Sequence, residues 1–121
     1  MSMKGKTLAN FIAKVIEDKK GENINIFDVK KLTIITDYFV ICTATAGEHC
    51  NAIADEIEER LKKKKTRPIS IDRGNDSSWI AMDYGSVIVH IMTEEKRNFY
   101  NLENIWEEIN PKITQRRKMK S

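Results

Sequence analysis

One segment constrains the fold more than any other. Asp37-Tyr38-Phe39-Val40-Ile41-Cys42 is almost continuously apolar and rich in β-forming residues, and such a strand suits burial on both faces, whereas a half-wet strand alternates. It is therefore placed at the centre of a sheet. A central strand needs neighbours on both sides and helices to cover it, and the flanking sequence offers both.

Ahead of it, Leu8, Phe11, Ile12, Val15 and Ile16 recur at helical spacing, with Lys14, Glu17, Asp18 and Lys19 between them and Gly21 as a stop. Asn23 to Val29 reads as a first strand, joined to the central one by Lys30 to Thr36. After a turn marked by Thr43, Thr45 and Gly47, the residues Cys50, Ile53, Ala54, Ile57 and Leu61 form the apolar stripe of a second helix, which Pro68 is expected to end. Three strands follow, Ile69 to Asp72, Trp79 to Asp83 and Val87 to Met92, separated by Gly74-Asn75-Asp76 and Tyr84-Gly85-Ser86. They are predicted to form an antiparallel meander. Glu94 to Tyr100 and Leu102 to Ile109 have helical character. The predicted fold is α/β (α+β): a mixed sheet of about five strands flanked by two amphipathic helices.

A chain of 121 residues suggests one domain, here residues 1–110, followed by a basic tail, 111–121. With 40% hydrophobic and 32% charged residues there is enough apolar surface to fold. The net charge of +3 is a small difference between 21 basic and 18 acidic residues, too small to give the whole molecule a nucleic-acid-binding field. The basic residues gather at Lys62 to Lys65 and at Arg116, Arg117, Lys118 and Lys120. Lysines late in a helix complement its macrodipole, which accounts for the first cluster without nucleic acid. Two cysteines, the lack of an apolar run long enough to span a bilayer, and no secretory pattern at the start lead to the expectation of a cytoplasmic protein with no membrane partner.

Catalytic chemistry has few candidates. Cys42 lies in the apolar strand and Cys50 on the apolar helix stripe, positions where a thiol behaves as a small hydrophobe. His49 and His90 could meet as metal ligands, but no further ligand cluster joins them. Asp37 and Asp83 sit at strand ends, where carboxylates accept backbone N–H bonds. No phosphate-cradling glycine motif is present. Trp79, Tyr84, Phe99, Tyr100 and Trp106 all fall in the second half. Spacing leaves core and interface equally open for them.

Asp37-Tyr38-Phe39-Val40-Ile41, then Asp83-Tyr84-Gly85-Ser86-Val87-Ile88-Val89-His90 preceded by Trp79, then Arg97-Asn98-Phe99-Tyr100-Asn101-Leu102-Glu103 with Trp106 form a spaced set of strings. Together they closely resemble the ribosomal silencing factor family, also called Iojap-like. The resemblance implies a protein that binds the large ribosomal subunit through large-subunit ribosomal protein fourteen, blocks joining of the small subunit, and represses translation when nutrients are short. With no ligand cluster in the sequence, no cofactor and no metal are expected. The resemblance also implies a partner-facing surface of Trp79, Asp83, Tyr84, Arg97, Tyr100, Leu102 and Glu103.

The family's fold is similar to that of nucleotidyltransferases, but Gly85-Ser86 here precedes a β-forming run and no Asp-x-Asp pair follows, so no enzyme activity is expected. A second departure is Ala44, which stands where the family commonly has a glycine turn, and alanine resists a positive φ. The basic tail could add a ribosomal RNA contact, and an exposed aromatic patch could pair two copies into a homodimer. The alternative function is an RNA-binding module acting in ribosome biogenesis.

Overall fold

The computed structural model of the chain describes residues 3–101 and 114–116. In chain order the elements are α1 (Gly5–Asp18), β1 (Glu22–Asp28), β2 (Tyr38–Ala44), α2 (Gly47–Lys63), β3 (Ser70–Asp72), β4 (Trp79–Asp83), β5 (Val87–Thr93), α3 (Glu94–Tyr100) and β6 (Thr114–Arg116). The strands form one mixed sheet in the order β3-β4-β5-β2-β1-β6. β2 and β5 run parallel, from Tyr38 opposite Val87 to Ala44 opposite Thr93. All other neighbours are antiparallel, and β3-β4-β5 is the expected meander.

The apolar strand is central, as its composition requires. Alternation along β2 sends Tyr38, Val40, Cys42 and Ala44 into a core with Leu8, Ile12 and Ile16 of α1 and Ile53, Ile57 and Leu61 of α2. On the opposite face Ile41 packs with Phe27, Val29 and Met92, with Phe39 and Trp79 against them. Both long helices thus share one face of the sheet. The other face is crossed by α3, whose Arg97 donates to Thr43 Oγ1 at 2.9 Å. The predicted helix from Leu102 to Ile109 lies outside the described residues.

Two local expectations are corrected, and the sheet of about five strands gains a short one at its edge. The turn after the central strand begins later, because β2 continues through Ala44, which pairs with Thr93 and is not among the positive-φ residues. Pro68 does not end α2: Lys65 adopts φ 59° and the Thr66 N–H returns to Leu61 O at 2.8 Å. The same closure ends α1, where Lys20 has φ 69° and the Gly21 N–H reaches Ile16 O at 2.8 Å. Both are Schellman-type stops with lysine where glycine is commoner. Finally, β6 adds a sixth strand, antiparallel to β1. Thr-Gln-Arg has no apolar alternation to announce it.

The connections collect at two ends of the sheet. At one end the turn after β4 is a hub: the Ser86 carbonyl accepts the N–H groups of Asp37 and Tyr38 at 3.1 Å each, and the Ser86 hydroxyl accepts the Gly5 N–H at 2.8 Å. That hydroxyl caps α1, whose own N-cap, Lys4, has no capping side-chain bond. The Met3 N–H also reaches Thr66 Oγ1 at 2.8 Å, tying in the end of α2. At the opposite end, a Cβ on Gly47 would fall 2.5 Å from the Asp76 carbonyl oxygen. Only glycine lets the start of α2 approach the 73–78 loop so closely.

The left-handed lysines give a direct test. Lys65→Gly is expected to raise the unfolding free energy by about 1 kcal/mol, because a Cβ in that region costs roughly 1–2 kcal/mol. Chemical denaturation of the variant checks it. An unchanged or lowered midpoint contradicts the strain.

Candidate functional site

On the face away from α1 and α2, aromatic side chains from three elements converge. Trp79 opens β4, and its indole N–H donates to His90 Nδ1 of β5 at 3.1 Å. The imidazole lies between two rings, Trp79 with its centroid at 5.9 Å and Phe39 at 5.5 Å. Burial pushes His90 down to about 4, so near neutral pH the ring is uncharged. Its Nδ1 keeps the lone pair that the indole requires, with the ring proton on Nε2. Tyr100 stands 4.7 Å from Trp79, and Phe99 meets Tyr100 edge-on at 5.0 Å.

The short α3 presents the last two rings to solvent. Thr93 Oγ1 accepts the Lys96 N–H at its start. Asn101, at φ 49°, closes its end with an N–H to Arg97 O at 2.8 Å. Arg97 is buried and anchors the helix by donating to Thr43 Oγ1 and to Asn23 O, within the irregular start of β1. With that anchor facing inward, Phe99 is 78% exposed and Tyr100 44% exposed. Beside Trp79 lies a cavity of about 400 Å³, lined also by Asp72, Asp76, Ser78, Ala81 and Lys96. The site therefore offers fixed aromatic surface edged by carboxylates.

The residues singled out from the sequence divide. Trp79 and Tyr100 come together, and Arg97 holds the helix that carries Tyr100. Asp83 lies at the far end of β4, four residues or about 13 Å along the strand from Trp79, and its carboxylate accepts the Gly85 N–H at 2.8 Å. Tyr84 is not on this surface. It is buried in the core beneath the two long helices, and its hydroxyl has no hydrogen-bond partner among the described residues. Leu102 and Glu103 lie outside the described residues. His90, Phe39, Asp72, Asp76 and Lys96 belong to the site without having been assigned to it. The alternation Val87-Ile88-Val89-His90-Ile91 placed His90 beside Ile88 on one face, but nothing in it indicated the indole partner.

The remaining candidates for chemistry have structural roles. His49 Nδ1 accepts the Thr45 N–H at 3.0 Å, and its Nε2–H donates to Lys19 O at 2.7 Å, joining the start of α2 to the end of α1. His49 and His90 stand on opposite sides of the sheet. No group of three potential metal ligands occurs among the described residues. Burial pushes the thiols up, Cys42 to about 12 and Cys50 to about 11, as expected for core cysteines. No described helix is long and apolar enough to cross a membrane.

A family model described as "Ribosomal silencing factor during starvation" matches residues 2–121. The chain belongs to this family. It is 35% identical over 99 residues to the ribosomal silencing factor RsfS of Haemophilus influenzae, covering 82% of this chain and 97% of that protein. It is 29% identical over 104 residues to RsfS of Bacillus subtilis, covering 86% and 88%. Among solved structures, one from Chromobacterium violaceum superposes with a TM-score of 0.82 at 25% identity, covering 86% of this chain and 87% of that one. The silencing factor family is one of ribosome-associated translation regulators, regulatory rather than catalytic. The three quoted strings thus carried the assignment correctly.

The His90–Trp79 pair makes pH a probe of the site. The folded-state value lies below the ordinary 6.5, so as pH falls the unfolded chain takes up its proton first. The contribution of neutral His90 is complete above about pH 6.5 and is lost progressively toward pH 4. Asp18 and Glu56, held low by Arg60, act in a lower window, beneath their ordinary 3.8 and 4.5. Denaturant midpoints measured across pH should fall between 6.5 and 4 for the natural chain and less steeply for His90→Gln. Identical slopes contradict the pairing.

Proposed function

We propose that the chain docks on the large ribosomal subunit through the aromatic surface around Trp79, with large-subunit ribosomal protein fourteen as its partner. Its volume then excludes the small subunit, and translation is repressed when nutrients are short. The observation that carries this reading is the Trp79–Tyr100–Phe99 cluster, fixed by His90 and Arg97 yet open to solvent. Rigid aromatic anchors give up little side-chain entropy on binding and commonly dominate interface energetics. Two carboxylates, Asp72 and Asp76, line the cavity beside Trp79 together with Lys96, whose Nζ lies 6.0 Å from the Tyr100 ring centroid, and Glu94 and Glu95 open α3. That balance suits a basic protein partner and disfavours RNA at this face.

The docking surface is accordingly Trp79, Phe99 and Tyr100 with their acidic rim. Arg97 acts through α3, and Leu102 and Glu103 continue the surface by resemblance. Asp83 contributes by holding its turn, and Tyr84 by filling the core. An exposed aromatic patch also offers a route to a homodimer, and self-association would compete with docking. A second reading, an RNA-binding module in ribosome biogenesis, is favoured by a mouse relative named "Mitochondrial assembly of ribosomal large subunit protein 1", 27% identical over 100 residues.

Trp79→Ala and Tyr100→Ala should each weaken co-sedimentation with isolated large subunits by about 2 kcal/mol, roughly thirtyfold in Kd, and relieve inhibition of subunit joining in proportion. Folding of each variant is checked by circular dichroism. Undiminished binding by both variants would contradict the surface.

A further inference from the structure

We propose that the end of the sheet opposite Trp79 is a binding surface for the phosphate backbone of RNA. The fold brings basic residues there from three separate stretches: Lys4 and Lys6 at the start of α1, Lys30 and Lys31 in the loop after β1, and the run 62–65 at the end of α2 with Arg67 just beyond it. The Ser86 hub and the Met3–Thr66 bond hold these stretches together. Nine basic residues stand against Asp28, Asp37 and Asp83, with Glu58 and Glu59 one turn before the lysine run. Asp28 is engaged by Lys30 at 3.3 Å and Asp83 by the Gly85 N–H. The other end is mixed, with the carboxylates Asp18, Glu48, Asp76, Glu94 and Glu95 interleaved with Lys19, Lys20, Arg73 and Lys96. Basic residues thus outnumber acidic ones more strongly at this end than in the chain as a whole, where they stand 21 to 18.

Helix electrostatics accounts for part of this charge only. Lys62 and Lys63 lie in the last turn of α2, where the macrodipole favours cations. Lys4 and Lys6 flank the start of α1, where it disfavours them, and that first turn holds no acidic residue. Positive charge is concentrated there against local preference, and a polyanion offsets the cost. Ile34 and Ile35 are exposed in the same loop as Lys30 and Lys31, which makes an anionic bilayer the competing partner. RNA is favoured over a bilayer because the family is ribosome-associated, and this choice rests on the reading above. The tail at 117–121 is not needed for the surface.

The test uses the full chain and a short mixed-sequence RNA duplex, with anisotropy read at salt from about 50 to about 200 mM. Lys62→Gln/Lys63→Gln/Lys65→Gln should weaken binding at least about tenfold and flatten the salt slope by about two, since each phosphate contact adds roughly one. Lys14→Gln/Lys19→Gln/Lys20→Gln, an equal charge change placed elsewhere, should leave binding within about twofold. Equal losses in both triple variants overturn the proposal, because net charge alone would then explain binding. Loss confined to Arg117→Gln/Lys118→Gln/Lys120→Gln overturns it in favour of the tail, and tighter binding to phosphatidylglycerol vesicles than to RNA overturns it in favour of a membrane. Trp79→Ala should bind the duplex normally. RNA binding that persists while subunit docking fails leaves this surface standing without the docking reading, and loss of RNA binding in Trp79→Ala removes it.

Discussion

The parallel pairing of β2 with β5 organises the molecule. Seven residues of each strand align, from Tyr38 with Val87 to Ala44 with Thr93, and parallel neighbours cannot be joined by a tight turn. The chain must leave β2, cross the sheet as α2, and return through the β3-β4-β5 meander. That path covers one face with helices and leaves the other to α3. It also sends the start of α2, the 73–78 loop and α3 to one end of the sheet, and the end of α2, the turn at Gly85 and the start of α1 to the other. The aromatic site and the basic end are both consequences of this crossover.

Much of the architecture was legible because its signals are periodic. The unbroken apolar run of β2 marked the centre, the stripes through Leu8 to Ile16 and Cys50 to Leu61 marked the helices, and turn residues divided the meander. What escaped depended on tertiary partners. Lys20 and Lys65 terminate helices in a conformation glycine usually adopts, stabilised by backbone bonds that no residue type reveals. Gln115 and its neighbours form a strand because β1 offers an edge, without apolar alternation of their own.

The site was legible in part for a related reason. Spacing could not separate core aromatics from exposed ones, because β4 alternates faces: Trp79 and Tyr84 are five residues apart and point to opposite sides of the sheet. Resemblance placed both on one surface, and the pleat separates them. Arg97, which looks like an interface charge in a linear string, is consumed in holding α3 to the irregular start of β1. A histidine in a strand is a metal ligand by residue type alone, yet here the Nδ1 of His90 is the acceptor that orients the indole. These roles follow from which atoms meet across the sheet, which one strand's pattern does not contain.

Action by occupying space, as proposed, needs a rigid attachment more than a reactive group, and the interior supplies rigidity. Its thiols are buried, one histidine bridges two helices, and the other steadies a tryptophan. The most direct test of the central claim is hydrogen exchange of the chain bound to isolated large ribosomal subunits. The account predicts that protection on binding concentrates in α3 and in the segment from Asp72 to Ala81. Protection confined to the outer faces of α1 and α2, with α3 exchanging as in the free protein, would contradict it.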